Sequence, residues 1–249
     1  MKTLVVIQHV PHERLGTFEE FFTQAGCALL PLNVYDAKAA WPRLDDVAGI
    51  VSMGGPMSVY EQAKHPWIAQ ELELLREAVD RKLPVLGVCL GAQMLAAALR
   101  AEVTKAAQKE IGWYPLMREP GADGDPLFEP FGQTETVFQW HGDTFALPQG
   151  AVRLASSPLC GRMEQAFRYR DNVWGLQFHV EVTEPIIRAW MRVPANQAEL
   201  TSLRGSTDPM AIRRQSPQHI ARLEALSRHV ATTFAQRIAG EVPHHARRG

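Results

Sequence analysis

The chain has 249 residues, 46% hydrophobic and 21% charged, with 26 basic against 27 acidic side chains and a formal net charge of −1. Charge so evenly balanced offers no electrostatic grip on nucleic acid or an anionic membrane. No apolar run approaches the roughly 18 residues of a spanning helix, so a membrane protein of that kind is excluded.

The opening "MKTLVVIQHVPHE" holds an apolar stretch, Leu4 to Ile7, too short for a signal-peptide core and followed by no small-residue cleavage site. We read 3–10 as a strand, 16–26 ("GTFEEFFTQAG") as a helix and 27–35 ("CALLPLNVY") as a second strand. Residues 47–55 ("VAGIVSMGG") form a third strand ending in glycines. In 65–82, Trp67, Ile68, Leu72, Leu74, Leu75 and Val79 recur at amphipathic-helix spacing, with Pro66 suited to the first turn. "LPVLGVC" (83–89) is a fourth strand, and "LGAQMLAAALRAE" the next helix. Apolar strands alternating with helices predict an α/β fold: an open, mostly parallel central sheet with helices on both faces. From about residue 111 the runs "IGWYPLM", "TETVFQWH", "AVRLASS", "QAFRYR" and "NVWGLQFHV" are separated by turn signals, predicting an added group of short mixed strands. Residues 194–215 are the least patterned stretch, read as a mobile excursion, and 216–240 reads as a long helix ending at Gly240. The expected organisation is one domain over 1–240 with a frayed tail at 241–249. His244 and His245 in that tail are read as part of a disordered basic terminus, not a metal pair.

Three cysteines, Cys27, Cys89 and Cys160, are too few and too scattered for a disulfide framework, and none has zinc-site spacing. A reducing cytoplasm is the expectation. Cys27 and Cys160 read as structural. Cys89 differs because it stands between Gly87 and Gly91 where a strand turns into a helix. A helix N-terminus favours thiolate over thiol, and the flanking glycines tolerate strained backbone and close approach. The N–H of Leu90, one residue on, is then free to donate to an oxyanion, as in a nucleophile elbow. A base with an orienting partner is offered by "GLQFHVEVTEP": His179 and Glu181, two apart, project to one side of extended backbone. The competing reading of that segment is an edge strand entering a helix near Thr183, with Glu181 close to its cap. The third strand ends in Gly54-Gly55-Pro56, and carboxyl strand ends share one crevice in a parallel sheet, so the Gly55 N–H is placed as a second oxyanion donor.

"MGGPMSV", "GVCLGAQ", "WHGDTF" and "QFHVE", in that order, resemble class I (triad-type) glutamine amidotransferase domains, in particular the glutaminase domain of GMP synthase and its stand-alone relatives. The likeness runs from about residue 40 to 192. It implies a flavodoxin-like sheet, Cys89 as nucleophile, His179 as general base, Glu181 as the acid orienting it, and Gly55 and Leu90 as the oxyanion hole. It also sets Gly54, Gln93 and the stretch Trp140, His141, Gly142 and Asp143 against the substrate, with His141 a wall residue and not a rival base. One departure is Val180, where the family usually has proline; valine favours extended backbone, so the triad is expected to survive.

The resemblance implies hydrolysis of the glutamine side-chain amide through a γ-glutamyl thioester on Cys89, with no metal or organic cofactor required. No Gly-x-x-x-x-Gly-Lys-Ser/Thr loop or Ser-Gly-Gly-type pyrophosphatase loop accompanies the motifs, so the expected ammonia acceptor is a separate synthase subunit. Two alternatives stand beside this: a γ-glutamyl peptidase or hydrolase acting alone, and a catalytically idle binding or regulatory module. The intact Cys89, His179 and Glu181 argue against the last.

Overall fold

A computed structural model describes residues 2–159, 163–203 and 207–240 of the protein. Cys160 and the tail 241–249, with His244 and His245, lie outside the described residues. The strands are β1 (Lys2–Gln8), β2 (Cys27–Asn33), β3 (Gly49–Ser52), β4 (Val85–Val88), β5 (Val103–Arg118), β6 (Thr134–Phe145), β7 (Ala151–Ser156), β8 (Glu164–Tyr169) and β9 (Val173–Leu176). The helices are α1 (Phe18–Gln24), α2 (Trp67–Asp80), α3 (Leu90–Ala98), α4 (Glu184–Trp190), α5 (Pro194–Ser202) and α6 (Pro209–Ala239). All these strands join one sheet in the order β2-β1-β3-β4-β9-β8-β7-β5-β6. Pairings from β2 through β9 are parallel, and those from β9 onward antiparallel.

The fold is the α/β class the sequence pattern indicates, with two differences in detail. "NVWGLQFHV" contributes β9, a fifth parallel strand beside β4 in register Leu86↔Trp174, not a member of the mixed group. Its four residues are all buried, as in a strand covered on both faces. The mixed strands also continue the same sheet, and two are long: β5 has 16 residues and β6 has 12. An irregularity in the β5–β6 pairing between Lys105 and Glu110 interrupts the alternation that would have marked the first half of β5. An isolated bridge between Phe138 and His179 brings β6 back against the segment that follows β9, so the sheet curls around the end of its own parallel half.

Strand alternation divides the core between the two faces. On β1, Leu4 and Val6 pack with Phe18, Phe22 and Phe234 of α1 and α6; Val5 and Ile7 pack with Ile68, Leu75 and Leu95 of α2 and α3. Helix α6 begins at Pro209, earlier than the Ser216-Pro217 pair suggested. Asp208 caps it by accepting from the Met210 N–H at 2.8 Å, and Pro209 takes the first helical position. Pro217 is a tolerated interior proline; beside it the Ser216 hydroxyl donates to the Ile212 carbonyl at 2.8 Å. Gly240, at φ +73°, closes α6 in the left-handed conformation glycine favours. The stretch 194–215, expected as a mobile excursion, supplies α5 and the first turns of α6, apart from 204–206, which are not described. Among the described residues no helix is long and apolar enough to cross a membrane.

Candidate active site

The carboxyl ends of β1, β3, β4 and the segment after β9 converge, and Cys89 stands at their centre. It joins β4 to α3 with φ +54° and ψ −110°, a conformation L residues adopt only under constraint. The constraint comes from three sides. The Cys89 N–H donates to the Leu176 carbonyl of β9 at 2.8 Å, and the Gly91 N–H to the Met53 carbonyl beyond β3 at 3.0 Å. A side chain at Gly87 would put Cβ 2.5 Å from the Gly91 oxygen, and one at Gly91 would put it 2.0 Å from the Ser52 oxygen. The Gly-x-Cys-x-Gly spacing is therefore a packing requirement of the corner. The Cys89 thiol donates to the Trp140 carbonyl at 3.6 Å.

His179 reaches the same place from outside the strands. After β9 the backbone bends at Gln177, Phe178, Val180 and Glu181 and does not continue as a regular strand, so the two-residue projection rule is not what pairs His179 with Glu181. The His179 N–H donates to the Phe138 carbonyl at 2.9 Å, and the Thr17 N–H donates to the Glu181 carbonyl at 2.9 Å. These bonds pin the backbone on both sides of Val180, which is wholly buried. The two side chains then meet directly: His179 Nδ1 lies 2.7 Å from Glu181 Oε1, both groups buried. Trp190 packs edge-on against the imidazole with ring centroids 4.9 Å apart. Nε2 makes no conventional hydrogen bond and is left for Cys89. Burial alone would lower the imidazole pKa, but the Glu181 carboxylate and Cys89 beside it outweigh burial and hold it well above 6.5.

Gly55, Cys89, Gln93, Trp140, His141, Gly142, Asp143 and His179 all line one cleft of about 290 Å³. The backbone N–H groups of Gly55 and Leu90 have no hydrogen-bond partner among the described residues, Leu90 because it opens α3. Gly54 is placed differently: its carbonyl turns away toward His9, and Cβ at this position would meet Glu13 Oε2 at 2.2 Å and His179 Cε1 at 3.1 Å. Gln93 donates to Gln177 at 3.1 Å and to the Asp143 carbonyl at 3.3 Å, which ties α3 to β6. His141 is engaged at both nitrogens, with the Asp143 carbonyl and with Glu110 Oε2, each at 3.0 Å. With no free nitrogen it is a wall residue.

Several cleft residues were not anticipated. Glu13, in the loop after β1, lies against Gly54 and His179 and is mostly buried; burial pushes its carboxyl up to about 7, with His179 and His9 pulling the other way. Its position at a carboxyl strand end was the available signal. Helix α5 forms the outer wall: Glu199 accepts from Trp140 Nε1 at 3.0 Å and pairs with Lys109. No local pattern announces that wall, because it depends on β5, β6 and α5 meeting. Cys27 is buried and free and lies outside the cleft.

Comparison with known proteins identifies the family and the fold. The family model for glutamine amidotransferase class-I matches residues 19–186. A glutamine amidotransferase-like protein of Salmonella typhimurium, YfeJ, is 31% identical over 202 residues, covering 80% of this chain and 83% of that protein. A glutamine-hydrolysing GMP synthase of Thermomicrobium roseum is 37% identical over 159 residues, covering 63% of this chain and 27% of that much longer protein. The crystal structure of a glutamine amidotransferase from Thermotoga maritima matches with a TM-score of 0.82 at 32% identity, over 95% of this chain and 97% of that one. One from Methylobacillus flagellatus gives 0.82 at 30% identity over 95% of each. With a family match running from α1 into α4, and two solved amidotransferases sharing its architecture over nearly all its length, the chain belongs to the class-I glutamine amidotransferase family.

Proposed function

We propose that this protein hydrolyses the side-chain amide of glutamine through a γ-glutamyl thioester on Cys89. The observation that carries this reading is the meeting of a strained thiol, a buried His179–Glu181 pair and two unpartnered backbone N–H groups in one cleft. Cys89 gives its thiol proton to His179 Nε2 and attacks the δ-carbon of glutamine, and the carbonyl oxygen becomes an oxyanion held by the Gly55 and Leu90 N–H groups. His179 gives its proton to the departing nitrogen as the C–N bond breaks, releasing ammonia. It then takes a proton from water, which attacks the thioester; glutamate leaves and Cys89 is restored. Glu181 holds the imidazole by Nδ1 and stabilises its charged form. Gln93 and the Trp140–Asp143 strand grip the amino-acid end of the substrate.

Ammonia released here is of use to an enzyme that activates an acceptor, and the GMP synthase relatives support a separate synthase as the partner. The free thiols of Cys27 and Cys89 suit a reducing cytoplasm. A second reading keeps the thioester but changes the leaving group. The cleft continues past Cys89 to Lys105, Lys109 and Asn196, which leaves room for a substituent on the γ-nitrogen, as in a γ-glutamyl peptide. Steady-state ammonia release from glutamine by the purified protein, set beside a panel of γ-glutamyl peptides, tests both. Glutamine turnover that disappears in Cys89→Ser supports the amidotransferase reading. Brisk peptide turnover with glutamine ignored replaces it with the hydrolase.

A further inference from the structure

His9 follows β1 directly and is wholly buried, yet its ring is engaged at both nitrogens. Nε2 lies 2.8 Å from Glu71 Oε2, and Nδ1 lies 3.0 Å from the Gly54 carbonyl oxygen. The second Glu71 oxygen accepts from the Ser52 hydroxyl at 2.6 Å, and Trp67 stacks on the ring with centroids 5.2 Å apart. Glu71 is itself fully buried, the one charged residue among the core-facing positions of α2. A carboxylate and a carbonyl facing one imidazole are both satisfied when the ring donates from both nitrogens, as the imidazolium does.

What this pair holds is the peptide group between Gly54 and Gly55. Its carbonyl and its N–H belong to one plane and point in opposite directions, so anchoring the oxygen on one side aims the N–H to the other. The oxygen faces the buried His9; the N–H has no partner among the described residues, and Gly55 lines the cleft with Cys89. Two glycines leave such a peptide free to rotate. Side chains cannot restrain it here, because Cβ at Gly54 would strike Glu13 and at Gly55 would sit 2.8 Å from Leu90 Cδ2 and 2.9 Å from His9 Cβ. The restraint has to come from outside the dipeptide.

We propose that His9, held by Glu71, is a positioning residue that locks the Gly54–Gly55 peptide with its N–H turned into the cleft, presetting one of the two oxyanion donors. The inference rests on the acyl-transfer reading given above. A charged donor on the carbonyl also polarises the peptide and strengthens its N–H as a donor. Glu13, whose carboxyl lies against Gly54, acts on the His9 ring electrostatically beside Glu71.

Two substitutions separate this role from packing. His9→Gln retains a donor near the Nε2 position, toward Glu71, and gives up the bond to Gly54; His9→Asn retains a donor near the Nδ1 position. Glutamine hydrolysis is measured for both, as is a crystal structure of His9→Gln. Expected are a fall in kcat of about 10²- to 10³-fold in His9→Gln, the scale of losing one oxyanion donor, KM within about threefold of wild type, and a rotated Gly54–Gly55 peptide. His9→Asn is expected to recover at least about tenfold of that loss. Unchanged kcat with the peptide in place overturns the proposal, as do equal losses in both variants accompanied by lowered melting temperatures. If His9→Gln does not fold, Glu71→Gln, which preserves shape but removes the charge, is expected to lower kcat with KM unchanged; unchanged kcat there is again contrary. Peptide orientation is read without any turnover. A wild type that never acylates Cys89 therefore defeats the acyl-transfer reading separately, whatever the peptide does.

Discussion

Glu181 accepts from one nitrogen of His179 in a buried setting, so replacing its charge while keeping its shape isolates the electrostatic part of its role. Glu181→Gln is expected to lower kcat for glutamine by about 10- to 10⁴-fold, with His179→Ala at least as severe, on the scale of an orienting carboxylate in serine hydrolases. A silent Glu181→Gln in steady-state assays would remove Glu181 from the mechanism. Glu13 makes a different prediction, in stability. Its carboxyl is raised from 4.5 to about 7, so the fold favours the neutral form. The neutral group costs nothing below pH 4.5; the cost grows as pH rises toward 7 and then levels off. Glu13→Gln removes that cost, so its stability advantage over wild type should be larger at pH 8 than at pH 5, by at most about 3 kcal/mol. Urea unfolding at the two pH values checks this, and an equal difference at both contradicts it. Cys89, His179 and Glu181 were legible because each sits beside a strand end with an unusual local pattern. Glu13, His9 and Glu71 were not, because their meaning depends on contacts such as His9 with Glu71, 62 positions apart.

The corner between β4 and α3 owes its shape to backbone crowding more than to local propensity. A Cβ on Gly91 would lie 2.0 Å from a carbonyl oxygen that belongs to β3, and neither group is the flexible end of a side chain. Gly91→Ala should therefore destabilise the protein by about 3 kcal/mol or more, the range of severe core and backbone strain. A urea midpoint within error of wild type would mean that the corner relaxes freely. The parallel half of the sheet was readable because its strands are uniformly apolar and alternate with amphipathic helices. β9 escaped that reading. It arrives after a run of antiparallel strands, and only its register with β4 reveals which half it joins. The start of α6 was missed for a local reason: Ser216-Pro217 mimics an N-terminus, while the true cap at Asp208 precedes it. Helix α5 has little amphipathic pattern of its own, and Glu199, which pairs with Lys109 and Trp140, ties it to the cleft.

Taken together, the parallel strands bring a thiol, an imidazole–carboxylate pair and two backbone N–H groups without partners among the described residues to one rim, and the antiparallel extension curls back to close the cleft with β6. The Phe138–His179 bridge is where these two halves meet, so the placement of His179 depends on both. Near-neutral net charge is consistent with a small zwitterionic substrate and offers no long-range steering toward a polyanion. The whole account turns on which atom carries the glutamyl group during turnover. The most direct measurement is mass spectrometry of the protein acid-quenched during steady-state turnover of glutamine, followed by peptide mapping. The account predicts a γ-glutamyl adduct on the peptide bearing Cys89, absent from those bearing Cys27 and Cys160, and absent altogether in Cys89→Ser. Ammonia released at the wild-type rate by Cys89→Ser, or an adduct on another cysteine, would contradict it.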